Sequence, residues 1–549
     1  MIGSFHQSLI PLWRALATLR GASRRRPCVR FACGAAFASA AALPAQPSPQ
    51  LIQSDPNRTV AAIALGDFSQ TGAGGVFAAW VHDDPSAESL LRFHQRAGEA
   101  WAREQIAAFT DVGTTPTDSP TPPILLAAGD YSNDGKTDLT VAVNSFNTTT
   151  SLRHYQRANA GFSPDDDSEA NVLTETGAGR RSTFWQALAI GDLLADGVPT
   201  LVSSDINFFE PYAGHAAPLP ALGFGPQRIT LHRRAGAGAF GAQSSVSDLE
   251  YARENSEETT LAVGDISGDG FPEVLIVENI WNRSPGWGHQ LSVAAMSANG
   301  GDDAGSFVAG DVEDFFDDPV EFAPNALLSV DRVIRELFWS DAHGQMGVTA
   351  VAIAGADDLT RDGIADLAVA RFDSYDGEPY GNPPFPATAA TNGHGVLEVR
   401  QVPFNGEFLG EDLRFDIEDY GPWRWTSLHV ADTDGDGAPE LIAAAEDLES
   451  GLWHLWRYVW DKGGFINNDG APSAAFPDGD YHPPAPAALL NSATRTDIIP
   501  PAGAAITALA VGNADADDDV EIVYGLDNGE LYVLDEAGGV NAARSWMLF

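Results

Sequence analysis

Along the chain, apolar and polar positions fall into short runs: a few apolar or alternating residues, then a turn rich in Gly, Asp, Asn or Ser. Strict alternation and short β-branched runs are the signature of strands, whose successive side chains point to opposite faces. Leu139-Thr140-Val141-Ala142-Val143 and Val274-Leu275-Ile276-Val277 are of the second kind, and residues 395–403 (GVLEVRQVP) alternate. No long stretch repeats at the helical period. The pattern predicts an all-β protein of short antiparallel strands.

The runs themselves recur. Seven segments share an apolar run, Gly-Asp or a relative of it, an acidic loop and a second apolar run; they begin at Ile63, Leu126, Leu188, Leu261, Ala354, Leu428 and Leu509. The first loop residues are Asp67, Asp130, Asp192, Asp265, Asp358, Asp432 and Asn513, separated by 63, 62, 73, 93, 74 and 81 residues. About sixty residues suit one four-stranded propeller blade, and the larger gaps imply insertions. One repeat cannot bury both faces of its sheet, so neighbours must stack, and a ring removes the exposed edges. The expected fold is a seven-bladed β-propeller of four-stranded antiparallel blades over residues 46–549. A first strand is expected at 59–65, and two closing strands at 530–534 and 542–549, with the last blade completed near the chain's start. Three positions before each loop stand Ala64, Ala127, Ala189, Ala262, Gly355, His429 and Ala510. Small residues there fit strands crowded around an axis, with His429 the exception.

The loops hold the candidate chemistry. The strongest reads Asp432-x-Asp434-x-Asp436-Gly437-x-x-Glu440. Asp265, Ser267, Asp269 and Glu273 repeat it, as do Asp130, Ser132, Asp134 and Asp138, then Asp358, Thr360, Asp362 and Asp366. The seventh offers Asn513, Asp515, Asp517 and Glu521, with Asp518 in place of the glycine. Oxygen donors at positions 1, 3, 5 and 9, with a main-chain carbonyl at 7, wrap a hard cation, and a glycine at 6 allows the positive φ of the reversal. Carboxylates this close repel one another without a cation. A large, flexible, all-oxygen donor set favours Ca2+ over Mg2+. The first loop (Asp67, Ser69, Thr71) and the third (Asp192 and Asp196, with Leu194 and Thr200 between and after) are degenerate and are expected to be empty or weak.

These segments resemble the FG-GAP repeats, also called VCBS repeats, of integrin α-subunit heads and of many bacterial exported proteins, over roughly residues 55–549. The resemblance implies a seven-bladed propeller with calcium in the loop joining the first two strands of several blades. The degenerate first and third loops and the long inserts depart from it.

Charge narrows the partners. The chain has 31 basic and 76 acidic residues, and its only lysines are Lys136 and Lys462. Six arginines and no acid lie in residues 1–45, leaving 25 basic against 76 acidic residues beyond them, a net charge of −51. Such a surface repels phosphate backbones and anionic lipid, so nucleic-acid and membrane-surface partners are not expected, while cations are favoured. Adaptation to a salty medium is the plainer reading of the same charge. Arg24, Arg25, Arg26 and Arg30 precede a small apolar run over 31–44 ending in Leu43-Pro44-Ala45, which reads as an export signal occupying residues 1–45. No other apolar run approaches the ~18 residues of a membrane span. Cys28 and Cys33, the only cysteines, fall inside that leader, so the exported chain has no disulfide and metal is the expected staple. A monomer, secreted or held in the periplasm or at the cell surface, is the expected form.

Function is less sharply written. There is no HExxH, GxSxG, Walker-type loop or GxGxxG after a strand, and the twelve histidines lack metal-ligand spacing. Trp281 and Trp287, an acidic run at 302–321, and Trp423, Trp425, Trp453, Trp456 and Trp460 beside a Pro-rich stretch at 472–501 mark the inserts; such tryptophans stack on sugars or pack between blades. Three readings stay open: a binding or adhesion module for an extracellular protein or glycan, a carbohydrate-active enzyme of the polysaccharide lyase or sugar dehydratase kind, and a structural matrix component.

Overall fold

The computed structural model describes residues 49–68, 74–84, 86–97, 100–110, 112, 123–131, 134–144, 151–158, 161–164, 183–193, 197–207, 227–232, 249–251, 256–264, 272–280, 290–298, 328–332, 346–353, 359, 366–374, 393–401, 415–435, 437–460, 493–515 and 519–535. Among them are strands and turns but no helix, so no helix is long and apolar enough to cross a membrane. The export signal, Trp281, Trp287, the acidic run at 302–321 and the strand expected at 542–549 lie outside the described residues.

Strand β1 (Gln50–Ser54) precedes the first repeat. Sheet one contains β2 (Arg58–Gly66), β3 (Gly75–His82), β4 (Ser89–Ala97) and β5 (Ala100–Phe109). Sheet two contains β6 (Ile124–Gly129), β7 (Asp138–Val143), β8 (Ser151–Ala158) and β9 (Gly161–Pro164). Sheet three contains β10 (Thr183–Gly191), β11 (Thr200–Asn207), β12 (Gln227–His232) and β13 (Leu249–Tyr251). Sheet four contains β14 (Ser256–Gly264), β15 (Glu273–Ile280), β16 (Gln290–Ala298) and β17 (Leu328–Arg332). Sheet five contains β18 (Met346–Ile353), β19 (Asp366–Ser374), β20 (Gly393–Gln401) and β21 (Phe415–Gly421). Sheet six contains β22 (Trp423–Ala431), β23 (Glu440–Asp447), β24 (Leu452–Trp460) and β25 (Ala493–Asp497). Sheet seven contains β26 (Ile506–Gly512), β27 (Glu521–Leu526) and β28 (Glu530–Asp535), and its fourth strand is β1.

Every sheet is an antiparallel meander with strands in chain order, except that the last borrows its outer strand from the beginning. Gln50 pairs with Val533 and Ser54 with Glu530, and the Asp55 amide donates to the Gly529 carbonyl at 3.1 Å.

Burial falls across each sheet in the way the sequence runs predict. Four second strands are mostly apolar and are buried on both faces: all six residues of β7 and of β27, and the first six of β3 and of β23. The outer strands β5 and β25 are mostly exposed. A strand buried on both faces requires a neighbour on each side, and the apolar clusters supply them. Phe68, Phe77 and Phe93 of sheet one meet Leu139, Val141 and Tyr155 of sheet two. Val60 and Trp80 of sheet one meet Val523 and Val533 of sheet seven. The first strands touch in succession, β2 to β6 and onward to β26, and β26 also packs on β2.

Two local devices recur. Six first strands carry a one-residue bulge, and in four of them, at Ala61, Gln186, Thr426 and Thr507, it stands six residues before the loop. A bulge sharpens the strand's twist and bend before the turn. The glycine that ends a first strand sits against the next sheet: a Cβ on Gly191 would collide with Val263 Cγ1, and one on Gly66 would come within 2.5 Å of Thr137 Cγ2. Gly66, Gly129 and Gly191, each the glycine of a Gly-Asp pair, are therefore close-approach residues.

Candidate metal centre

Each acidic loop joins the first and second strands of its sheet, and its ninth position is the first residue of the second strand: Asp138, Glu273, Asp366, Glu440 and Glu521. Strand pairing places that residue opposite the end of the first strand, as Gly129 with Asp138 or Ala431 with Glu440. Asp138, Asp366, Glu440 and Glu521 are all buried, at 3%, 0%, 0% and 0% exposure. Carboxylates are almost never buried to that degree without a partner.

The first-position aspartate shapes the turn. Its carboxylate accepts the amide of the sixth-position glycine: Gly135 to Asp130 at 2.8 Å, Gly197 to Asp192 at 2.6 Å and Gly437 to Asp432 at 2.8 Å. Those glycines have φ of +80°, +81° and +83°, the left-handed backbone that side chains disfavour. The degenerate third loop thus keeps the turn's hydrogen bond at Asp192.

The second position is buried in every loop where it is described: Phe68, Tyr131, Leu193, Leu359, Thr433 and Ala514 are each no more than 2% exposed. This residue pins the loop to the core. It was not among the sequence-derived candidates, and its signal was the mostly apolar residue between the first and third donors.

In the sixth loop one oxygen from each of Asp432, Asp434 and Glu440 lies within 4.8 Å of the others. Glu440 Oε2 accepts the Thr433 amide and hydroxyl, both at 2.8 Å, while Oε1 is buried with no hydrogen-bond partner. Burial raises the Glu440 carboxyl above its ordinary range, opposed by the two Thr433 hydrogen bonds; Asp434 adds to the rise and Arg457 works against it. Three carboxylates this close, one of them with a buried oxygen that no protein donor satisfies, are the chemistry a hard divalent cation satisfies, so these residues fit calcium. Asp434 likewise keeps its place in the turn, as does Asp134, whose amide donates to Asp130 Oδ1 at 3.0 Å.

The seventh loop differs. Its Glu521 Oε2 accepts the Ala514 amide at 2.5 Å, mirroring Glu440, but Asp515 pairs with Arg96 of β4, and its side chain is 2% exposed. Of the remaining expected donors, Ser132, Asp265, Ser267, Asp269, Asp358, Thr360, Asp362, Asp436 and Asp517 lie outside the described residues, as do Ser69, Thr71, Leu194 and Asp196 of the degenerate loops.

The tryptophans of sheet six are packing residues. Trp425, Trp456 and Trp460 are 0%, 2% and 3% exposed and join a cluster with Leu359, Leu397 and Val399 of sheet five. Arg495 lies 4.2 Å over Trp456 and 5.1 Å over Trp423, and with the Tyr458 hydroxyl at 2.8 Å it binds Asp419 of β21. This is a latch between adjacent outer strands. His429 Nε2 donates to the Leu509 carbonyl at 3.0 Å as a bridge between sheets six and seven, and burial lowers its pKa to about 4. With only a carbonyl to bond, the ring is held neutral with Nε2 as donor.

No protein-family model matches the chain, and no curated protein matches it. Among solved structures it is similar to the Dos1 propeller (6% identity, 88% of this chain and 95% of that one, TM-score 0.32). It is similar also to a rhamnogalacturonan lyase from Bacillus licheniformis (13%, 88% and 90%, TM-score 0.30) and to a fructosyltransferase from A. japonicus (10%, 89% and 92%, TM-score 0.30). TM-scores this low leave fold and activity to be argued from the chain's own residues.

Proposed function

We propose that residues 46–549 form a closed seven-bladed β-propeller of the FG-GAP, or VCBS, type. In this reading it is exported and stabilised by Ca2+, and it acts as a monomeric extracellular binding module for a protein or glycan. The succession of first-strand contacts and the pairing of β1 with β28 support closure. The observation that carries the calcium reading is the sixth loop, where three carboxylates converge and the buried Glu440 Oε1 has no protein donor. Asp432, Asp434 and Glu440 would hold the ion there, with Asp436 added from the spacing. The equivalent residues of the second, fourth and fifth loops are Asp130, Ser132, Asp134 and Asp138, then Asp265, Ser267, Asp269 and Glu273, then Asp358, Thr360, Asp362 and Asp366. The metal's part is structural: it neutralises the clustered carboxylates and fixes the turn between two strands. The strongly negative surface is consistent with a partner that is neutral or cationic, and with bridging by further calcium.

Elemental analysis of protein purified without chelator, followed by calorimetry with and without EDTA, tests the metal. Bound calcium and a melting temperature that falls on chelation are expected, because a ligand held only by the folded state stabilises it. Asp434→Ala with Asp436→Ala is expected to cost more than Asp192→Ala with Asp196→Ala; absence of calcium and indifference to EDTA would refute the reading. A glycan array tests the binding role. A second reading, a carbohydrate-active enzyme, is tested in parallel by incubation with rhamnogalacturonan and other polysaccharides. Unsaturated or released sugar product would replace the binding module with that reading, and none across the panel would remove it.

A further inference from the structure

The seventh loop offers a test of what occupies such a turn when calcium does not. Its third position, Asp515, is held from two sides by sheet one. The Arg96 guanidinium at the end of β4 pairs with the Asp515 carboxylate, and the Gly74 amide donates to the Asp515 main-chain carbonyl. The pair is nearly dry, with the Asp515 side chain 2% exposed and that of Arg96 19% exposed. The approach is close: a Cβ on Gly74 would lie 2.6 Å from the Asn513 carbonyl and 2.7 Å from its Oδ1.

The loop's composition agrees. Its first position is Asn513 where the second to sixth loops have aspartate, and its sixth is Asp518 where those loops have glycine. It therefore has neither the carboxylate that accepts the sixth-position amide in loops two, three and six nor the residue suited to positive φ.

A sequence echo shows that Arg96 occupies a repeated place. β4 ends Gln95-Arg96-Ala97 and β8 ends Gln156-Arg157-Ala158. Arg157 lies 5.2 Å over Phe93 and 5.4 Å over Phe162, and donates to Gln95 Oε1 at 3.3 Å from both terminal nitrogens. So an arginine at the end of a third strand reaches back to the preceding sheet. The preceding loop has Ser69 in Arg157's case and Asp515 in Arg96's.

We propose that Arg96 supplies the cation of the seventh loop in place of calcium, so that the seam between sheets seven and one is held by an intramolecular ion pair and not by metal. The inference rests on the calcium reading of the other loops and revises it at Asn513, Asp515, Asp517 and Glu521. A planar guanidinium matches a carboxylate in hydrogen-bonding geometry, so this seam is indifferent to calcium supply. The second, fourth, fifth and sixth loops are not.

The test is a calcium count by elemental analysis on the full chain, saturated with calcium and desalted. Asp434→Asn is expected to lose about one ion, because each such loop holds one. Asp515→Asn is expected to lose none, and Arg96→Gln to gain about one as the carboxylates are freed for the metal. Loss of an ion in Asp515→Asn, or an unchanged count in Arg96→Gln, overturns the proposal. Should Arg96→Gln not fold, Asp517→Asn decides: a lower count overturns the proposal and an unchanged one supports it. If neither the parent chain nor Asp434→Asn holds calcium, the calcium reading itself has failed. In that case a double-mutant cycle between Arg96→Gln and Asp515→Asn in EDTA still reads the ion pair, and additive losses overturn it.

Discussion

His94 is a buried base that the fold holds neutral, and replacing it should remove a definite part of the protein's sensitivity to acid. The ring lies in β4 at 1% exposure, 5.4 Å from the Trp80 ring, and its Nε2 has no hydrogen-bond partner. Burial lowers its pKa to about 3, with the nearby Arg92 and Arg103 guanidiniums adding to the fall. In the unfolded chain the same imidazole takes a proton near its ordinary value of about 6.5. Below that pH the unfolded state binds more protons than the folded one, so stability is undiminished above about pH 6.5 and declines as pH falls toward about 3. Between about pH 7.5 and about pH 4.5 the unfolded state gains two pH units of proton binding that the folded state refuses, or about 3 kcal/mol. For a cooperative unit of this size that is roughly 2–3 °C in melting temperature. His94→Gln removes the titration, so the fall in stability between those pH values should be smaller in the variant by that amount. Calorimetry of both proteins in EDTA at several pH values measures it, and every carboxylate and the other histidines, His429 included, cancel in the difference. Parallel pH profiles for parent and variant would refute the reasoning.

Asp419→Ala should cost about 3–5 kcal/mol in a urea titration, because it leaves the Tyr458 hydroxyl and the Arg495 guanidinium without their shared acceptor in a buried site. Tyr458→Phe, which leaves the ion pair, should cost about 1 kcal/mol. Gly437→Ala should destabilise by about 1–2 kcal/mol for conformational reasons alone, since φ is +83° and a Cβ there meets nothing within 4 Å. Gly191→Ala should cost more by overpacking against Val263, which thermal unfolding of the two variants side by side will show.

Much of the architecture was legible because the physics that makes it is local and repeated. The Gly-Asp turn or its relative, with an apolar run on either side, marks the first and second strands in every repeat, and the sheets place them there. Third strands such as β20 (Gly393–Gln401) were legible by alternation. The outer strands were not: β5 and β25 are mostly exposed, so their sequences are under little apolar constraint. β1 was equally silent, and only its pairing with β28 shows that the chain's beginning supplies the strand anticipated near the start. In the loops, spacing singled out Asp432, Asp434 and Glu440, which converge. It was blind to Arg96, which comes from a different sheet 419 residues away and obeys no spacing relative to Asp515. The bulges at Gln186 and Thr426 were also illegible, since a one-residue slip in pairing depends on the partner strand.

The strand made first is the last to find its place. Residues 50–54 leave the ribosome some 480 residues ahead of their partner at 530–535, so β1 waits unpaired until β28 has been made. A cut anywhere in the short tether around Asp55 would therefore do more than trim an end. It would release the outer strand of the last sheet and present Glu530–Asp535 as an open edge to any passing extended peptide, a second copy of residues 50–54 included.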